Sequence, residues 1–79
     1  MKIKHLQIEL DKNKIPSEMY SVVGGLWDER YCLENIYVTW YVYYCERGQK
    51  IIIDEFENES DACVYFLNKL FDIYSMIKH

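Results

Sequence analysis

Val38-Thr39-Trp40-Tyr41-Val42-Tyr43-Tyr44-Cys45-Glu46-Arg47-Gly48-Gln49-Lys50-Ile51-Ile52-Ile53-Asp54-Glu55-Phe56 is the stretch on which the fold turns. Both halves are dense in β-branched and aromatic residues, which suit a pleated, half-buried surface. Between them, Gly48 can take the positive φ that a tight hairpin turn demands. With Arg47 and Gly48 as the loop, Tyr44 faces Ile51, Tyr43 faces Ile52 and Val42 faces Ile53. Alternation then gathers Val38, Trp40, Val42, Tyr44, Ile51 and Ile53 on an expected core face. The other face carries Thr39, Tyr41, Tyr43, Cys45, Lys50, Ile52, Asp54 and Phe56, more polar yet still rich in apolar area.

Upstream, residues 31–34 read as the preceding strand, joined by a short turn near Ile36-Tyr37 that sets Cys32 opposite Tyr41. Tyr20-Ser21-Val22-Val23 reads as a short strand closed by Gly24-Gly25, with residues 24–29 forming a loop. Residues 2–13 carry both helical spacing (Ile3, Leu6, Leu10) and strand alternation (Leu6, Ile8, Leu10); we take them as helix, stopped by Asn13, Lys14 and Pro16. Downstream, Asn58-Glu59-Ser60-Asp61 starts a helix, with Asn58 positioned to accept from the Asp61 amide. Ala62, Cys63, Phe66, Leu67, Leu70, Phe71, Tyr74 and Ile77 then form its apolar stripe. The expected architecture is α+β: a four-stranded antiparallel meander flanked by an N-terminal and a long C-terminal helix (α-β-β-β-β-α), both packed on one face.

The 79 residues, 51% of them hydrophobic, suffice for one domain spanning 1–79 and not for two. One Pro and three Gly, without low-complexity tracts, exclude a disordered tail. A formal net charge of -4 repels phosphate backbones, so direct nucleic-acid binding is not expected. The Tyr-rich stretch 36–45 falls far short of the roughly 18 apolar residues of a membrane span. Met1-Lys2-Ile3-Lys4-His5 lacks the apolar run of a secretory signal, which points to a cytoplasmic protein. Cys32, Cys45 and Cys63 form no CxxC pair and are expected as reduced thiols.

No chemistry is named by a motif. His5 and His79 stand at the chain ends with no zinc spacing near them. The register that puts Cys32 opposite Tyr41 leaves Cys45 several positions away, so a bridge between the two cysteines is not expected. Cys63 reads as a small hydrophobe on the helix stripe. Asp28-Glu29 and Asp54-Glu55 read as a solvated loop and a strand edge, and Gly24-Gly25 lacks the residues of a phosphate cradle. We therefore expect neither an enzyme, nor a cofactor, nor a metal. Charge is more telling: residues 28–61 hold nine acids against three bases, a net of -6. Acids beside exposed tyrosines fit a basic protein partner. The plainer reading is that Tyr41, Tyr43 and Phe56 cover a thin domain kept soluble by its acids.

YSVVGG (20–25), RYCLEN (30–35), WYVYYCERGQK (40–50) and DEFENESDACVYFL (54–67) together resemble the small bacterial immunity proteins encoded beside polymorphic or contact-dependent toxins. The resemblance is one of pattern, covering about three quarters of the chain, and it departs at Ile36-Tyr37-Val38, where a more polar turn with Gly would be usual. It implies a cytoplasmic protein that binds a cognate toxin domain, such as a nuclease with a basic cleft. Under it, Trp27, Tyr41 and Tyr43 are the anchors, and Asp28, Glu29, Glu46, Asp54 and Glu55 the charge partners. The competing expectation is a regulatory or homodimerising interaction module that pairs through the tyrosine face or an open strand edge.

Overall fold

The computed structural model describes residues 1–77, so His79 lies outside the described residues. Helix α1 (Ile3–Lys12) is followed by a 3-10 turn at Ser17–Met19 and strand β1 (Tyr20–Ser21). Strands β2 (Arg30–Ile36), β3 (Thr39–Glu46) and β4 (Gln49–Phe56) come next, then helix α2 (Glu59–Ile77). The α+β architecture and element order follow the sequence expectation, and one sheet holds all four strands in the order β1-β2-β3-β4.

Two strand pairings differ from expectation. Strand β1 is only two residues long and runs parallel to β2, with Tyr20 beside Tyr31 and Ser21 beside Cys32, so the sheet is mixed. The β2–β3 turn is Tyr37-Val38, one residue later than expected, with Tyr37 at φ 56° and the Asn35 side-chain Nδ2 donating to the Tyr37 and Thr39 carbonyls, both at 3.2 Å. Moving a hairpin turn by one residue slides the register by two: Cys32 pairs with Tyr43, not Tyr41. Side chains keep their faces under such a shift.

The β3–β4 turn follows the expectation, with Arg47 and Gly48 at φ 51° and 77°, and Tyr44 opposite Ile51 and Tyr43 opposite Ile52. Beyond that a bulge intervenes between Val42 and Tyr43, so Val42 faces Asp54 rather than Ile53 and Trp40 faces Phe56. An extra residue reverses the alternation after it. Phe56 accordingly leaves the second face, packs on the main core, and lies 5.2 Å from the Tyr65 ring of α2.

The main core joins Leu6 and Leu10 of α1, Leu33 and Val42 of the sheet, and Ala62, Cys63, Phe66, Leu67 and Leu70 of α2. Val38 and Ile51, expected in it, are instead 82% and 51% exposed, because one sits in the turn and the other on edge strand β4. The end of the expected α2 stripe, Ile77, is exposed as well. At the start of α2 the Asn58 carboxamide oxygen accepts from the Asp61 amide at 2.8 Å, as read from the sequence. Helix α1 has no cap of its own; Glu59 of α2 accepts from the Ile3 amide at 2.9 Å and pairs with Lys2 at 3.5 Å.

Candidate functional site

Parallel neighbours cannot be joined by a tight turn, so the chain leaving β1 must travel back before it can enter β2. Residues 22–29 make that return as a flap over the second sheet face, reaching the carbonyls and side chains described next. Beneath it lies a small second core of Cys32, Tyr43 and Cys45, with Tyr41 packed at its margin. Gly24 and Gly25 hold φ of 71° and 106°, and a Cβ on Gly24 would stand 2.6 Å from Glu34 Cδ, so a glycine is required at this crossing. Ser21 Oγ and Trp27 Nε1 donate to the Gly24 carbonyl at 2.8 and 2.9 Å. Tyr43 Oη and Cys45 Sγ reach the Gly25 carbonyl at 2.9 and 3.6 Å. Arg30 lies 4.3 Å over the Trp27 ring and reaches the Ser17 and Tyr20 carbonyls, tying the flap to β1.

The polar centre of this layer is Glu34. Its Oε1 accepts from Tyr43 Oη at 2.6 Å and from Lys50 Nζ at 3.4 Å, and Lys50 also stands 4.8 Å over the Tyr43 ring. The Tyr43 hydrogen bond, and after it the Lys50 charge, hold the Glu34 carboxyl below the usual carboxylate range against some burial. Burial, and then Glu34, push the Tyr43 hydroxyl well above the ordinary tyrosine value. Cys32 and Cys45 meet at 3.8 Å, sulfur to sulfur. Burial first, and Cys45 next, push the Cys32 thiol up to about 12. The closed layer therefore holds an un-ionised, weakly nucleophilic thiol.

The expected partner-binding residues separate into three places. Trp27 sits on the flap, 42% exposed. Asp28, Glu29 and Glu46 cluster at the β3–β4 turn, where Asp28 Oδ1 accepts from the Arg47 amide at 3.1 Å and the Glu29 amide donates to the Cys45 carbonyl at 2.8 Å. Asp54 and Glu55 stand exposed toward the far end of β4, paired with Val42 and Tyr41. Tyr41 is half-buried, and Tyr43, expected as an exposed anchor, is 1% exposed with its hydroxyl consumed inside the protein. The flap is the reason: a face read as open from strand alternation is roofed by the chain's own crossover.

A feature missed in the sequence compensates. Tyr31 and Tyr44, on the helix side of the sheet, have ring centroids 4.7 Å apart. With Met19, Glu29, Ile73 and Ile77 they line a shallow cleft of about 200 Å³. Burial raises the Tyr44 hydroxyl above its ordinary value, and Glu29, Glu46 and Asp28 add to the rise; of these three carboxylates Glu29 lines the cleft itself. The ion pairs among the described residues are Lys2–Glu59, His5–Glu9 and Lys50–Glu34, and none of them involves Asp28, Glu29 or Glu46. Only the correct β2–β3 register, which sets Tyr31 opposite Tyr44, could have disclosed it.

Among the described residues no three His, Cys, Asp or Glu side chains converge on a metal position, and no helix is long and apolar enough to cross a membrane. Compared with family models, curated proteins and solved structures, the chain matches none.

Proposed function

We propose that this protein is an immunity protein that binds and neutralises a cognate toxin domain, using the acid-rimmed Tyr31–Tyr44 cleft and the neighbouring Trp27. The supporting observation is that Glu29 lines the cleft beside Tyr44, with Asp28 and Glu46 at the adjoining β3–β4 turn, and that among the described residues none of the three carboxylates is in an ion pair. Aromatic faces beside carboxylates suit the lysine or arginine of a basic partner, whose charge meets both the ring and the acids. Uncompensated acids also steer a basic protein toward the cleft and speed encounter. The sequence resemblance supplies the partner class; the cleft supplies the sign of the partner's charge. A cytoplasmic location, inhibition without an enzymatic step, and no direct contact with nucleic acid belong to the same reading.

The test is binding to the toxin domain encoded beside this gene, with protection from growth arrest as the functional readout. Reversing Glu29 and Glu46 to Lys is expected to slow association at least tenfold and flatten its dependence on salt. Unchanged association after reversal of Asp28, Glu29 and Glu46 removes the cleft from the interface. A tight self-dimer by sedimentation, with no affinity for the neighbouring product, replaces this reading with a self-associating module.

A further inference from the structure

The Cys32–Cys45 pair is not used by the proposed docking surface, and its geometry stands apart from it. The two residues are diagonal neighbours across β2 and β3: Cys32 pairs with Tyr43, and Cys45 with Arg30. Both point to the second face, both are fully buried, and their sulfurs lie 3.8 Å apart. A carbonyl takes each sulfur as donor, Arg30 for Cys32 at 3.9 Å and Gly25 for Cys45 at 3.6 Å. The flap covers this pair, with the Gly25 carbonyl held by Tyr43 Oη and reached by Cys45 Sγ.

We propose that Cys32 and Cys45 are a reversible dithiol–disulfide pair gated by the flap, with a low-molecular-weight disulfide such as oxidised glutathione as the oxidant. One cysteine thiolate attacks a sulfur of the small disulfide, forming a mixed disulfide and releasing one small thiol. The second cysteine thiolate then attacks the protein sulfur of that mixed disulfide, forming the Cys32–Cys45 bond and releasing the second small thiol. Two electrons pass from the cysteine pair to the small disulfide, and the two cysteine protons end on the released thiols or solvent. Sulfurs already in contact need to approach by about 1.8 Å to reach bonding distance, and because diagonal partners ordinarily stand further apart than disulfide-linked residues, β2 and β3 must draw together locally as the bond forms. The β2–β3 ladder thus holds the second thiol beside any mixed disulfide formed on the first, so ring closure is favoured over a lasting adduct.

Burial of the thiols sets the order of events: the flap opens, a thiol ionises in water, and exchange follows. Cys63, fully buried in the main core on the other side of the sheet, takes no part. Its replacement by Ser or Ala leaves the pair isolated for measurement.

The experiment is equilibration of the Cys63→Ala chain in glutathione redox buffers, native and in urea, followed by acid quench, alkylation and intact mass. The native chain is expected to escape alkylation at both cysteines, its mass 2 Da below that of the unalkylated reduced chain, at a tenfold lower ratio of oxidised to reduced glutathione than the chain in urea, with the bond located by digestion to the peptide 31–47. An equal or higher ratio, a persistent glutathione adduct, or a disulfide-linked dimer overturns the pair. Tyr43→Phe, which keeps the ring and removes the hydroxyl shared between the Gly25 carbonyl and the Glu34 carboxylate, is expected to speed native exchange at least threefold; an unaltered rate overturns the gate.

Discussion

Glu34 receives the Tyr43 hydroxyl and the Lys50 ammonium while lying against the Cα of Gly24, so one side chain joins sheet, edge strand and flap. Its folded pKa is depressed, chiefly by Tyr43. The sign follows: stability from this group is present above its unfolded pKa and is lost as pH falls through the folded value. With its side chain 26% exposed, solvent screens part of the effect. Glu34→Gln is expected to cost about 1–2 kcal/mol near neutral pH, the roughly 1.5–3 kcal/mol of a hydrogen bond to a charged group reduced by that screening. Urea unfolding followed across pH checks it: the gap between the two proteins should narrow as pH falls below the ordinary glutamate value and close once the depressed folded value is passed. A constant gap would show that packing, and not charge, is at work.

Among elements, α1 depends on α2 for its first turn. Lys2 offers no side-chain cap, and Glu59, from the first turn of α2, accepts the Ile3 amide. Glu59→Ala is expected to lower stability by about 1 kcal/mol, the ordinary cost of a lost cap, measured by urea unfolding. The Asn58 start of α2 was legible in the sequence because a cap is local chemistry, and the Arg47-Gly48 turn because positive φ favours glycine. Strand β1 was not: two residues carry too little pattern to state whether they pair parallel or antiparallel. From that one orientation came the flap, the burial of Tyr43 and the second core. The one-residue displacement of the Tyr37-Val38 turn hid the Tyr31–Tyr44 cleft and the meeting of Cys32 with Cys45, since Tyr37 is an unlikely residue type for left-handed backbone and nothing nearby marked it. Of the expected site, the acids at the β3–β4 turn kept their place at the surface, whereas Tyr43 moved inside because tertiary cover overrode alternation.

At the scale of the whole molecule, the protein is a slab 37 × 30 × 16 Å in extent, helices on one side and flap on part of the other. So thin a body cannot bury every apolar residue, and the edge strand β4 leaves Ile51 and Ile52 each 51% exposed. The break in pairing between Val42 and Tyr43 falls just beyond these isoleucines, followed by Asp54 and Glu55. A straight β4 with three consecutive isoleucines would be a template for strand addition from any unfolded or partly unfolded chain. The kink spoils the ladder and the two carboxylates repel an incoming strand of like composition. Replacing Asp54 and Glu55 by Asn and Gln is expected to shorten the lag of thioflavin-positive fibril growth with little change in unfolding midpoint. An unchanged lag would assign the protection to the backbone kink alone. One surplus residue in a strand is thus expected to guard this edge against amyloid.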